Sequence, residues 1–160
     1  MAIGAGRKLD AVDFTYPDVV TAFGNGTNTI TSATFAVMPS VTCTASITNP
    51  HPTADMLCQV SYGAWMNASA GDVRLSVDIS GAVTIAAGIG GGAAIGWGEI
   101  PIVSLPTGAT NSGSQQRTAV ITVELPPGTT TFKTYGLRTG AGTTQINYPT
   151  IRLVPVQYLF

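Results

Sequence analysis

The stretch Val73-Arg-Leu-Ser-Val-Asp-Ile79 decides the fold class of this chain. Its apolar and polar side chains alternate with a period of two, which is typical of a strand with one buried and one solvated face. The same alternation returns in Ala119-Val-Ile-Thr-Val-Glu-Leu125. Ile151-Arg-Leu-Val-Pro-Val156 is apolar on both faces, which predicts a central strand or one covered on both sides. No window of a dozen residues shows a helical stripe, so the pattern predicts an all-β chain.

Short turn signals rich in Gly, Pro and Asn separate these runs, and residues 102–116 predict a longer polar loop. This arrangement predicts a single-domain antiparallel β-sandwich, or jelly roll, of roughly seven to nine strands. We place the sandwich at residues 19–160. Residues 1–18 are rich in charge, and we interpret them as an extended N-terminal arm that docks on another molecule. A frayed terminus is the alternative.

Composition excludes several classes of function. Charged residues make up 9% of the 160-residue chain and the net charge is −1, whereas about 25% is usual. Such weak charge gives little repulsion between copies, so we expect the chain to pack against neighbours. The cationic residues are scattered, which argues against nucleic acid as a partner. No apolar segment follows Arg7 and Lys8, so we predict no secretory signal, and the glycine-rich residues 80–98 predict no membrane span.

The two cysteines lie in runs that alternate on either side of Pro50-His51. Folding these runs as an antiparallel hairpin would set Cys43 opposite Cys58, at a separation close to that of a disulfide. Because a chain without a secretory signal is made in a reducing compartment, we favour two buried free thiols on the core face. A bridge formed later is the alternative.

The sequence contains no recognisable arrangement of catalytic residues. His51 is the only histidine and lies between two prolines, which indicates a turn residue. No Gly-x-Ser-x-Gly motif is present, and no helix can follow the glycines of residues 88–93 to hold a dinucleotide. We therefore predict no catalytic, cofactor or metal site, and an enzyme is the least favoured hypothesis.

Aromatic residues offer a second kind of site. They could form a platform on which sugars stack, or serve as core and subunit contacts; they are Tyr62, Trp65, Trp97, Tyr135, Tyr148 and Tyr158. The end of the chain, Gln157-Tyr-Leu-Phe160, carries three large apolar residues that we expect to be buried. Trp65, Trp97, Tyr158 and Phe160 are thus candidate ligand or subunit contacts.

The C-terminal third carries a resemblance. Residues 124–140 read Glu124-Leu-Pro-Pro-Gly-Thr-Thr-Thr-Phe-Lys-Thr-Tyr-Gly-Leu-Arg-Thr-Gly140, and the run at residues 151–156 follows them. This pattern resembles small accessory structural proteins of tailed bacteriophages. The opening Gly6-Arg-Lys-Leu-Asp-Ala-Val-Asp-Phe14 is also similar to them, especially to those of phages of actinobacteria. The resemblance implies a β-sandwich on a phage particle, either a capsid decoration protein or a minor tail or fibre-tip protein.

These observations together predict a non-enzymatic virion protein, made in the host cytoplasm and carried on the virion surface. We expect it to self-associate as a homotrimer and to bind major capsid or tail proteins. The arm residues Arg7, Lys8, Asp10 and Asp13 are the candidate anchor to the particle. The alternative is a tail or fibre-tip protein that binds host-surface carbohydrate through residues 88–98 and 104–116.

Overall fold

The computed structural model describes residues 15–69, 71–87, 102–105 and 115–160. These residues form ten β-strands and no helix. The strands are β1 (Val20–Phe23), β2 (Thr27–Thr29), β3 (Ala36–Val37), β4 (Thr44–Asn49), β5 (Asp55–Ala68), β6 (Val73–Gly81), β7 (Val103–Leu105), β8 (Gln115–Leu125), β9 (Gly128–Arg138) and β10 (Thr144–Leu159). In this part of the chain there is accordingly no helix long and apolar enough to cross a membrane.

The strands form two antiparallel sheets packed as a sandwich, which confirms the predicted fold class. The front sheet has the order β1-β10-β5-β8, and β2 also pairs with β10. The back sheet has the order β3-β9-β6-β7, and β4 also pairs with β9. β10 lies between β5 and the short strands β1 and β2, so the run at residues 151–156 is central, as its apolar pattern predicts.

The core lies between the two sheets and is built from the alternating residues. In β6, Val73, Leu75, Val77 and Ile79 are all fully buried, and Phe132 of β9 packs among them. Burying each such side chain contributes on the order of 1.5–3 kcal/mol. Of the residues that alternate with them in β6, Arg74 and Asp78 are half-buried and Ser76 is fully buried.

Two details of the predicted organisation are wrong. Residues 102–116 are not one continuous loop, because Val103–Leu105 pairs with β6 and β8 begins at Gln115. The strand count is ten within the described residues, since three strands have only two or three residues. Short edge strands of this kind carry too little periodicity for the sequence to reveal them.

The predicted hairpin between β4 and β5 is also wrong. β4 pairs with β9 in the back sheet, whereas β5 pairs with β10 and β8 in the front sheet. The segment between them therefore crosses from one sheet to the other. The buried Asn49 stabilises this crossing: its Nδ2 donates to the carbonyl oxygens of Ala54 and Leu125, and its Oδ1 accepts from the His51 amide. The two cysteines consequently lie on different sheets.

A second buried asparagine stabilises the segment that leads into β4. Asn28 of β2 is fully buried, and its Oδ1 accepts from the backbone amides of Ser40 and Val41 at 2.9 and 2.7 Å. Its Nδ2 donates to the Val41 carbonyl oxygen at 2.8 Å. The side chain of Val41 in turn packs against Gly24 and Gly26. Asn28 thus holds residues 40–41 against the turn between β1 and β2.

Candidate functional site

The outer face of the front sheet carries three exposed aromatic rings. Phe23, Trp65 and Tyr148 are 60%, 43% and 44% exposed, on β1, β5 and β10 respectively. Strand alternation explains their exposure, because their neighbours Ala22, Ala64 and Met66 point into the sandwich. Large apolar side chains gathered on one face, rather than scattered singly, indicate an interaction surface.

The strand register places these rings beside uncharged polar residues. One transverse row across the sheet reads Thr27, Asn147, Trp65 and Gln116, from β2 to β8. The next row reads Phe23, Thr150, Gly63 and Thr118. Residues directly opposite each other on paired strands present their side chains on the same face. We call these two rows together with Tyr148 the aromatic face.

A β-bulge shapes the centre of the aromatic face. The register between β10 and β5 breaks between Asn147 and Thr150, and Tyr148 has a φ of 52°. A bulky residue in this left-handed region is strained by about 1–2 kcal/mol. The bulge is held by hydrogen bonds from the Tyr148 amide to the Gly26 carbonyl and from the Gly24 amide to the Pro149 carbonyl. Bulges often redirect a side chain at a functional site, and this one brings the Tyr148 ring to 6.0 Å from the Phe23 ring, nearly parallel to it.

Asn147 adds an unusual polar group to this face. Its side chain is 8% exposed, and its Oδ1 is buried without a hydrogen-bond partner among the described residues. Leaving a buried acceptor unpaired costs about 1–3 kcal/mol. Its cross-strand neighbours are Thr27 on one side and Trp65 on the other. The orphan oxygen therefore lies just below the exposed rings.

The aromatic face is electrically neutral in its two rows. The first charged residue in the adjoining row is Arg152, opposite Thr21 and Ser61. The outer face of the back sheet differs, because it carries Lys133 opposite Asp78 and a salt bridge between Arg74 and Asp72. It also carries paired hydroxyls, such as Ser46 with Thr131 and Thr48 with Thr129, each at 2.8 Å. The two outer faces of the sandwich thus present different chemistry.

The predicted aromatic contacts do not lie together, and Tyr135 is half-buried on β9 of the back sheet. Trp65 is exposed on the aromatic face, together with Tyr148. Tyr62 and Tyr158 are buried at 1% and 2% exposure, so they cannot stack on a ligand from solution. Phe160 is 48% exposed, so within the single chain the expected burial of the chain end is confirmed for Tyr158 alone, and burial of Phe160 against a neighbouring subunit stays a prediction. Trp97 lies outside the described residues, as do most of the loops predicted to bind carbohydrate.

The end of the sandwich opposite Trp65 is closed by an aromatic cluster. Tyr16 stacks on Tyr158 at 4.8 Å, and the Tyr158 hydroxyl donates to the Thr15 carbonyl oxygen. The His51 ring packs between Tyr158 and Phe160. His51 Nδ1 accepts from the Thr53 and Ala54 amides, so its ring serves the turn that precedes β5. Burial raises the pKa of Tyr158, with a smaller contribution from Tyr16.

The arm meets the sandwich at this cluster. Thr15 and Tyr16 contact Tyr158, whereas the candidate anchor residues Arg7, Lys8, Asp10 and Asp13 lie outside the described residues. Tyr16 is 42% exposed, so its ring covers Tyr158 and still faces solvent. The described part of the arm is therefore attached to the domain at residues 15–16.

Both cysteines are free and buried. Burial raises the pKa of the Cys43 thiol to about 11, partly offset by hydrogen bonds with the Ile151 and Gly24 backbones. Burial raises the pKa of the Cys58 thiol to about 11 as well. Neutral thiols without a cationic neighbour are poor nucleophiles. Among the described residues, no cluster of three or more His, Cys, Asp or Glu side chains could hold a metal ion.

Phe23 and Asn147 of the aromatic face could not be selected from the sequence alone. Phe23 lies in a short strand next to glycines, and a four-residue strand shows almost no periodicity. Asn147 precedes Tyr148-Pro149, which the sequence marks only as a turn. The bulge at these residues, inside the longest strand, depends on pairing with β2 and β5 and leaves no local signature.

No family model matches this chain, and no curated protein matches it. Among solved structures, the chain is similar to the Eiger TNF from S. frugiperda, with 10% identity over 86% of this chain and 92% of that one and a TM-score of 0.43. It is also similar to the C-terminal CBM6 of LamC, a laminarinase from Zobellia galactanivorans, with 15% identity over 84% and 98% of the chains and a TM-score of 0.39. The CBM35 of Abf62 from Cellvibrio japonicus shows 16% identity over 89% and 96%, with a TM-score of 0.39. These likenesses are distant, and no conclusion about this chain rests on them.

Proposed function

We propose that this chain is a non-enzymatic structural protein of a bacteriophage particle, a capsid decoration protein that self-associates and binds the particle surface. The observation that carries the proposal is the pairing of weak charge with exposed apolar surface. Charged residues make up 9% of the chain, while Val120, Val156 and Phe160 are each about half exposed in addition to the aromatic face. A free monomer with such a surface is prone to associate.

The arm is the proposed anchor to the particle. Thr15 and Tyr16 contact the aromatic cluster, and the charged residues Arg7, Lys8, Asp10 and Asp13 precede them in the sequence. An anchor of this kind binds a partner without using the sandwich faces, which stay available for contacts between copies. We propose a homotrimer on the virion surface, assembled in the host cytoplasm, with major capsid proteins as partners.

Two experiments test the proposal. Light scattering of the purified protein is expected to give a mass of about three times 16.4 kDa. Antibody-labelled electron microscopy of intact particles is expected to place the protein on the capsid shell. A monomer at all concentrations, or a protein absent from purified particles, would contradict the proposal.

Truncation separates the arm from the domain. Deleting residues 1–14 removes the candidate anchor and keeps the Tyr16–Tyr158 stack, whereas deleting residues 1–18 removes both. We expect both truncations to fold and to lose particle binding, with the longer one melting at a lower temperature. Particle binding that survives both deletions would show that the arm is not the anchor.

A minor tail or fibre-tip protein that binds host-surface carbohydrate is the second candidate. The exposed Trp65 and Tyr148 rings favour it, because aromatic rings on an open sheet face suit sugar stacking. The same electron microscopy distinguishes the two candidates, since label would then lie on the tail and not on the shell.

A further inference from the structure

We infer that the aromatic face is a binding site for a neutral oligosaccharide, with Trp65 and Tyr148 as stacking rings and the Asn147 side-chain amide as its central hydrogen-bonding group. This inference does not depend on where the protein sits on a particle. It also places the ligand site on the front sheet, with Gln116 as its one member from the segments 88–98 and 104–116.

The unpaired oxygen of Asn147 is the first step of the argument. It is buried within the face and accepts no hydrogen bond from the described residues, so a ligand that brings a donor gains a hydrogen bond here. An apolar partner surface would leave this oxygen unpaired and would make its burial worse. A ligand hydroxyl provides the donor, after a small rotation of the Asn147 amide or of a neighbouring side chain.

The polar lining is the second step. The side chains around the rings are hydroxyls and amides, from Thr27, Gln116, Thr118 and Thr150. Such groups both donate and accept, which matches the hydroxyls of a sugar. Neither row holds a charged residue, so the face offers no ion-pair partner to an anionic or cationic ligand. Charge and hydrogen-bonding capacity together favour a neutral polyhydroxylated ligand.

The strain at Tyr148 is the third step. A tyrosine at a φ of 52° is held in an unfavourable conformation by the bulge and by its amide bond to Gly26. Strained residues of this kind persist where the surrounding structure enforces them, and they cluster at ligand sites. Here the strained backbone sets the Tyr148 ring parallel to Phe23, one residue from Asn147, so rings and amide lie side by side.

Affinity electrophoresis is the primary test. The wild-type protein is run in native gels that contain dextran, mannan or galactan, with heparin as an anionic comparison. We expect retardation by at least one neutral polysaccharide and none by heparin. If no neutral polysaccharide retards the protein, or if only heparin does, the inference is wrong.

Substitutions locate the site. Trp65→Ala and Tyr148→Ala are each expected to weaken binding by about thirtyfold, as for an aromatic residue at the centre of an interface. Phe160→Ala is the matched control, because Phe160 is 48% exposed and lies near Met56, about 30 Å along β5 from Trp65. In a Trp97→Phe background, the fluorescence of Trp65 reports the titration of Tyr148→Ala and Phe160→Ala, and affinity electrophoresis reports the binding of Trp65→Ala. Equal binding by the control and the two face variants would overturn the assignment.

Asn147→Ala provides a readout that a purely structural role would not give. Because the substitution removes a buried unpaired oxygen, we expect it to leave the thermal midpoint unchanged or higher, while sugar binding falls at least tenfold. Loss of stability with unchanged binding would overturn the role of Asn147. If Trp65→Ala dissociates an oligomer in light scattering without affecting any sugar binding, the face is a contact between copies and the inference fails, while the proposed virion function stands.

Discussion

The three hydrogen bonds of Asn28 allow a stability prediction from the structure. Asn28→Ala removes the acceptor of the Ser40 and Val41 amides and the donor to the Val41 carbonyl, which lie at 2.7–2.9 Å. Each bond contributes about 1 kcal/mol net. The three together give a loss of about 3 kcal/mol in the free energy of unfolding. For a domain of this size, the midpoint should fall by about 6–12 °C.

The measurement is urea unfolding followed by circular dichroism, with thermal scans beside it. Asn67→Ala is the matched control, because Asn67 of β5 is exposed and faces away from the core; its effect should stay within about 0.5 kcal/mol. The Asn28 variant should also bind less well at the aromatic face, since residues 40–41 pack against the turn that contacts Tyr148. If the two asparagine variants are equally stable, water replaces the lost bonds and the reasoning is refuted.

Three further outcomes follow from other parts of the fold. Gly71→Ala should destabilise the protein by more than about 2 kcal/mol in urea unfolding, because φ is +79° and a Cβ would overlap the Thr139 carbonyl. Gly128→Ala should cost less, because φ there is +117° but only the Ala82 side chain is near. Equal losses of stability in the two variants would contradict this reasoning. Tyr148→Gly should have a thermal midpoint equal to or above that of the wild type, because glycine relieves the strain of the left-handed backbone. It should lose sugar binding, because the ring is gone. A lower midpoint would show that the contacts of the ring stabilise the fold more than the strain destabilises it. The free energy of unfolding should decrease as pH rises from the ordinary thiol pKa of about 8.5 to about 11, because the unfolded chain releases the Cys43 and Cys58 protons while the folded chain retains them. Urea midpoints in that pH window should depend less on pH in a Cys43→Ala/Cys58→Ala variant. An unchanged slope of midpoint against pH would rule out the thiols as the cause.

The periodic strands were predictable because alternation reports burial directly. Val73 to Ile79 and Ile121 to Leu125 are buried at every second position, as their pattern indicates. The central place of β10 was also predictable, since its apolar residues at 151–156 occur on both faces. In these strands the positions that local alternation predicts to be apolar are the positions that the other sheet covers.

Pairing was harder to predict than periodicity. The runs that contain Cys43 and Cys58 alternate correctly, yet the sequence does not state which strand lies beside each run. The segment at residues 49–54 resembles a hairpin turn, but its buried Asn49 and His51 direct the chain to the other sheet. A polar residue inside a turn shows its role only when its distant partner, here Leu125, is known.

The candidate site was only partly predictable for the same reason. Trp65 and Tyr148 were selected as aromatic residues, but alternation alone did not separate them from the buried Tyr62 and Tyr158. Phe23 and Asn147 join them only through the register of β1, β2 and β10. A site that spans several strands is a property of the sheet, so its members are scattered along the sequence.

The position of β10 also sets the order in which the nascent chain can fold. The pairings of β9 with β3, β4 and β6 become possible once residue 138 has left the ribosome, so most of the back sheet can assemble early. β5 and β8 can pair even earlier, once residue 125 has left the ribosome, but β5 keeps one edge of its 14 residues open until β10 emerges. During that interval neighbouring polypeptides on the same message compete with β10 for this edge. The time needed to synthesise residues 126–159 therefore sets how long this edge stays open.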